Sequence, residues 1–333
     1  MNRIPIQILD WRVAVFDILS GFKPIQASYN VKTQKNWLRA AWAIRLNRGF
    51  TGFQLNPFHL VVVDDTGPYW KYDYLIEYWA RVEQTGEPSE ALKSLQKWQK
   101  KNKVPKGVIP RYKDGRPEKG DDWYMVCDAG KEYLLNEHRQ TTLLSYQGFE
   151  ADDLAAAIVR CSLERRANDT GLLELDLPHI YLHTIDTDWL GLVGEHVTWV
   201  DMANYGSFSG VSRVRDVQET ITYASRARAL KATIEEPREI WDIKVQKGDA
   251  SDNLIPHSPL EVIDLLKPPE DWDILKLNHR PLIEQTLDCK INSVNSGHLK
   301  GCIEWMRRNG FNIPMFGFNL HPIDFSADSS QAA

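Results

Sequence analysis

Cysteine is scarce in this 333-residue chain: Cys127, Cys161, Cys289 and Cys302 stand far apart, with no Cys-x-x-Cys pair. A disulfide framework and a zinc ribbon are therefore excluded, and buried thiols in a reducing compartment are expected. Long apolar runs are missing as well. The longest run of large aliphatic residues is Leu60-Val61-Val62-Val63, far short of the roughly 20 residues that a membrane helix needs. The opening residues, Met-Asn-Arg-Ile-Pro-Ile-Gln, lack the apolar core of a signal peptide. Repeats and low-complexity segments are absent, which rules out a solenoid or a fibre. With 43% hydrophobic and 26% charged residues, the chain has the make-up of a soluble globular protein. An overall excess of positive charge is also lacking, the net charge being -5. That average hides a polarity. Between Lys93 and Lys119 ten Lys or Arg face two acids, Asp114 and Glu118, so this stretch carries +8 and the rest of the chain -13.

Short apolar runs bounded by polar residues predict strands at Arg12–Phe16, Leu60–Val63, Thr142–Ser145, Ile180–Ile185 and Val197–Val200. Helical spacing separates them over Asn36–Asn47, Ala151–Arg160 and Trp189–Val193. Such alternation predicts an α/β fold, a mostly parallel central sheet flanked by helices. The stretch from Glu83 to about Lys119 interrupts the rhythm. It is expected to begin as a charged helix and to continue as a mobile loop with almost nothing to bury. Beyond Pro237 the pattern is helical and broken by prolines, with a last helix at Gly297–Arg308 ended by Gly310. Three regions are expected: a core over 1–240 with a basic insertion at about 83–121, a helical region over 241–325, and a disordered tail from Ser326.

The acids fall on this scaffold in a pattern. Asp17 follows the first predicted strand, Asp64 and Asp65 the second, and Asp186 and Asp188 the fourth. Glu150, Asp152 and Asp153 open the helix after the third. Sites in open parallel sheets form outside the carboxyl ends of the strands, so four strands deliver carboxylates to one edge. Any one such acid reads equally as a turn or N-cap residue; repetition at four strand ends does not. Converging carboxylates need a cation among them. Hard oxygen donors suit Mg²⁺ or Mn²⁺, and two such ions would activate a water and stabilise the leaving oxygen of a phosphodiester.

These residues carry a resemblance. Gly148-Phe149-Glu150-Ala151-Asp152-Asp153 resembles the G-Y-E-A-D-D signature of the 5′-nuclease family, which includes flap endonucleases and 5′–3′ exonucleases. Lys247-Gly248-Asp249-Ala250-Ser251-Asp252-Asn253 resembles its G-D-x-S-D-N, and Asp186-Thr187-Asp188 its D-x-D. The stretch Asp64–Tyr78 is similar to the segment in which an Asp precedes an aromatic-Arg pair and a Tyr-Lys pair; Tyr69-Trp70-Lys71 looks closest to the T-even-phage-type ribonuclease H branch. The resemblance implies one metal group of Asp17, Asp64, Glu150 and Asp152 or Asp153, and a second of Asp186, Asp188 and Asp252 with Asp249 nearby. It implies that Lys71 clamps the scissile phosphate beside the catalytic acids Asp153 and Asp186. It further implies nucleic-acid contacts from Tyr72, Arg81, Lys97, Lys100, Lys101, Lys103, Lys106 and Arg111, the last six on an arch over a single-stranded 5′ arm. Three departures stand out: Tyr78-Trp79 replaces the Tyr-Lys, Ile185 replaces the glycine before D-x-D, and Leu254–Pro259 lacks the glycines of the duplex-gripping hairpin.

The implied activity is two-metal hydrolysis near free or flapped 5′ ends of DNA or RNA–DNA duplexes. The implied task is primer or flap removal by a monomeric phage enzyme in a bacterial cytoplasm, with a single-stranded-DNA-binding protein or a sliding clamp as partner and no membrane. The alternative is a relative that binds structured nucleic acid without cutting it.

Overall fold

The computed structural model describes residues 4–51, 58–137, 141–168, 179–201, 213–214, 236–267 and 296–311. Its centre is a six-stranded sheet in the order β3-β2-β1-β4-β5-β6. The strands are β1 (Ile6–Asp10), β2 (His59–Thr66), β3 (Thr142–Gln147), β4 (Ile180–Thr184), β5 (Val197–Asp201) and β6 (Arg213–Val214). The first five run parallel and β6 is antiparallel to β5. Ile8 of β1 sits between Val61 of β2 and Leu182 of β4. The α/β class read from the alternation holds.

Both faces of the sheet are covered, and the side-chain period of two divides the strands between them. Ile6, Ile8, Val61 and Val63 enter one core; Leu9, Leu60 and Val62 enter the other. The first core packs α3 (Trp70–Thr85), α4 (Ser89–Asn102), α6 (Ala151–Asn168) and α7 (Glu239–Lys247). The second packs α1 (Trp11–Ser28), α2 (Val31–Thr51), α5 (Asp121–Glu137) and α8 (Ser296–Arg308). There the Trp11 and Trp42 rings stack with centroids 4.5 Å apart. Gly130 of α5 lies against them: a Cβ at that position would meet Trp11 at 2.5 Å, so only glycine lets α5 approach.

Two expectations fail. Arg12–Phe16 is not a strand but the first turns of α1, and the strand is the preceding Ile6–Asp10. The alternation Val13, Val15 mimics a strand. The longer pattern Trp11, Ala14, Val15, Ile18, Leu19, Phe22 is helical, and all six are buried. Asp10 caps this helix, accepting the backbone N–H groups of Arg12 at 3.1 Å and Val13 at 3.3 Å. The loop after α4 is likewise not free of the body. Tyr112 is buried, Lys113 N donates to Asp252 O at 2.9 Å, and Asn253 Nδ2 donates to Arg111 O at 2.8 Å. Two of its backbone polar groups are thereby satisfied by the turn after α7.

The last helix and its stop at Gly310, where φ is 72°, match the sequence reading. The tail from Ser326 and Cys289 lie outside the described residues. Cys127 and Cys161 are buried, and no disulfide forms among the described residues. None of the described helices is long and apolar enough to cross a membrane.

Candidate functional site

The carboxyl ends of the strands open into one cleft of about 1460 Å³. Each acid reaches it by a local device. Asp10 ends β1, and its second oxygen accepts the Thr184 hydroxyl from β4 at 2.8 Å. Asp65 is the cleft-facing member of the Asp64-Asp65 pair, because neighbours on a strand point to opposite faces. Glu150 and Asp152 enter from the start of α6. Asp186 and Asp188 follow β4, where Asp186 caps a short 3₁₀ turn (Thr187–Leu192) by accepting Asp188 N at 3.1 Å. Asp249 and Asp252 come from the turn after α7. That turn needs Gly248: φ is 77°, and a Cβ would stand 2.5 Å from Leu254 O.

Burial dominates the electrostatics. It raises Asp10 to about 7, helped by the charge of Asp65, and raises Asp65 to about 6 against the pull of Arg12. Asp252 rises to about 6 and Asp188 to about 8, although Lys113 and Lys244 respectively oppose the shift. Glu150 behaves oppositely. Burial works against its charge, but the ammoniums of Lys71 and Lys113 bring it down to about 2. Carboxyls held this far above their ordinary range resist ionisation until a cation stands among them.

The cleft brings some of the expected residues together and leaves others outside it. Glu150, Asp152, Asp186, Asp188, Asp249 and Asp252 all line the cleft, as does Tyr72. Asp17 and Asp64 do not. Asp17 lies on α1, away from the sheet edge, and its Oδ2 accepts Arg45 Nε at 3.0 Å. Asp64 turns to the other side of β2, towards Lys131 at 3.6 Å and Arg12 at 3.8 Å. Asp153 and Lys71 are packed beneath the cleft; Lys71 is 1% exposed. Arg81 is exposed on α3, over the Tyr78 ring at 5.7 Å. Lys97, Lys100, Lys101, Lys103, Lys106 and Arg111 are all exposed, on α4 and the segment that follows it.

Asp10, Tyr112, Lys113 and Arg116 were not expected at the site, and Asp65 was placed at a strand end but not in the implied ligand set. Asp10 was hidden by the misplaced strand. A Tyr-Lys pair, absent at Tyr78-Trp79, stands at Tyr112-Lys113 beyond α3 and α4. Tyr112 donates to Glu150 Oε2 at 2.7 Å and reaches Asp252 Oδ2 at 3.1 Å, so one hydroxyl spans the two groups of acids. Lys113 pairs with Glu150, and Arg116 with Asp252.

No family model matches the chain. One curated relative does: DNA polymerase I of Chloroflexus aurantiacus is 30% identical over 148 residues, 44% of this chain. The chain spans 13% of that protein's length. Among solved structures, a zinc-bound 5′-exonuclease of bacteriophage T5 is similar over 95% of this chain and 97% of its own. It has 12% identity and a TM-score of 0.43. The bacteriophage T5 flap endonuclease in complex with DNA and metal ions covers 94% of this chain and 96% of its own, at 15% identity and a TM-score of 0.42. At these identities and scores, function rests on the residues of the cleft.

Those residues fit a divalent cation. The acids offer only hard oxygen donors, and among the described residues no His or Cys lines the cleft. Glu150 and Asp152, whose carboxylate oxygens come within 4.8 Å of each other, both line it.

Proposed function

We propose that this chain is a metal-dependent 5′-nuclease that hydrolyses phosphodiesters near free or flapped 5′ ends of DNA or RNA–DNA duplexes. One observation carries the reading: the G-F-E-A-D-D, D-T-D and G-D-A-S-D-N segments, which lie far apart in sequence, line the same cleft as the ends of β1 and β2. Asp10, Asp65, Glu150 and Asp152 would hold one ion, and Asp186, Asp188, Asp249 and Asp252 a second. Bound Mg²⁺ would supply an activated water and charge for the leaving oxygen.

The chain's own residues do the rest. Lys113 and Arg116 put cationic donors at the acids, where the transferred phosphate must sit, and Arg116 is exposed enough to swing onto it. Tyr112 fixes Glu150 and Asp252 relative to each other. The exposed lysines of α4 and its following segment offer a sequence-independent grip on a phosphate backbone. Removal of RNA primers or flaps in phage replication, with a clamp or single-strand-binding protein as partner, belongs to the same proposal.

The test is a 5′-labelled flapped duplex incubated with Mg²⁺ or with EDTA. Short labelled products that appear only with the metal support the reading. Binding without cleavage in Mg²⁺ or Mn²⁺ would replace it with the non-cutting relative.

A further inference from the structure

Lys71 is a cation of the site that does not face the cleft. It is 1% exposed and does not line the cleft. Its Nζ lies 2.9 Å from Glu150 Oε2, 3.1 Å from Asp152 Oδ2 and 3.3 Å from Asp153 Oδ1. The ammonium thus donates to Asp152 and stands within ion-pair distance of all three carboxylates. Both oxygens of Asp153 are engaged inside the protein, Oδ1 with Lys71. Its Oδ2 accepts Trp70 Nε1 at 3.1 Å and the backbone N–H of Glu150 at 3.0 Å. Asp152 and Glu150, by contrast, also line the cleft.

We infer that Lys71 is a built-in counter-ion. It occupies the inner side of the Glu150, Asp152 and Asp153 cluster permanently, leaves only Glu150 and Asp152 to a metal on the cleft side, and makes Asp153 a positioning residue. The expected phosphate clamp on Lys71 is replaced by this role, and Lys113 and Arg116 are left to meet the phosphate. The physical reason is charge. Three buried carboxylates within reach of one another repel strongly, and a buried pair that loses one partner leaves an uncompensated charge. An ammonium carried on α3 meets that need whether or not a metal is present. The clause about the metal rests on the nuclease reading; the counter-ion itself does not.

Two variants test it, with Mn²⁺ as the probe. Asp153→Asn should bind as many Mn²⁺ ions as the wild-type chain, counted by electron paramagnetic resonance; loss of an ion would overturn the inference. Lys71→Met, which empties the inner position, should melt roughly 5–10 °C lower in EDTA. Millimolar Mn²⁺ should restore most of that loss, with one more ion bound than in the wild type. An unchanged melting temperature in EDTA, or a loss that Mn²⁺ neither restores nor accompanies with an extra ion, would contradict it. If Lys71→Met does not fold, the ion count of Asp153→Asn decides alone. Failure of the nuclease reading looks different: wild-type protein that cuts no flapped duplex, with the EDTA melting difference intact.

Discussion

Replacing Asp10 by Asn removes one unit of charge from the cleft and changes little else. The amide oxygen still caps α1 on the N–H groups of Arg12 and Val13, and Asn caps as well as Asp. The new amide N–H₂ faces the Thr184 hydroxyl, which accepts as readily as it donates. A unit charge about 4 Å from a cation contributes roughly 4 kcal/mol at an effective dielectric of 20. Single-turnover cleavage of a flapped duplex in Mg²⁺ should therefore fall about 10²–10³-fold. Asp17→Asn makes the opposite expectation concrete. Asp17 pairs with Arg45, whose side chain is 2% exposed, and an amide oxygen keeps that contact without its charge. Stability should drop by about 1–3 kcal/mol, a few degrees in Tm, with the cleavage rate held within about twofold. Full activity in Asp10→Asn together with a dead, folded Asp17→Asn would refute the assignment of the strand and of the site built on it.

Three further predictions concern the rest of the site. Lys113→Met with Arg116→Met should lower single-turnover cleavage about 10²-fold or more while Mn²⁺ binding is retained; an unaltered rate would remove the Tyr112–Arg116 segment from the chemistry. Neutralising Lys100, Lys101 and Lys103 together should weaken duplex binding and flatten the slope of log affinity against log salt, and an unchanged slope would return these lysines to plain solvation. Folded-state stability in EDTA should decline from about pH 4 to pH 8. Burial holds Asp65 and Asp252 near 6, Asp10 near 7 and Asp188 near 8, all above their unfolded value of 3.8. Raised carboxyls stabilise the fold while protonated, and that contribution disappears as pH rises through the folded pKa, at about 1 kcal/mol per pH unit for each titrating group. Mg²⁺ binds the ionised forms and should abolish the decline; parallel Tm–pH curves with and without metal would show that the ion does not sit among these acids.

How far the sequence could be read depended on how local the deciding physics is. Leu60–Val63 and Ile180–Thr184 were legible as buried strands because an apolar run between turn residues has few other fates. The acids at the start of α6 and in the turn after α7 were legible because their spacing is fixed within a few residues. Asp10 was not, since choosing between Ile6–Asp10 and Arg12–Phe16 as the strand requires knowing which stretch pairs with β2, a contact distant in sequence. The choice between Asp64 and Asp65 is a register question of a single residue, and a one-residue slip exchanges the two faces. Lys113 was hidden because α3 and α4 separate it in sequence from β2 and its acids. Only tertiary packing brings it back, through Tyr112 and the turn at Asp252.

The most direct measurement is anomalous diffraction from crystals soaked in Mn²⁺. The account predicts density within the cleft, beside Asp10, Asp65, Glu150 and Asp152 and beside Asp186, Asp188 and Asp252, and none beneath it at Lys71. Crystals at millimolar Mn²⁺ with no density in the cleft, or with an ion held by Asp17 or Asp64 instead, would contradict it.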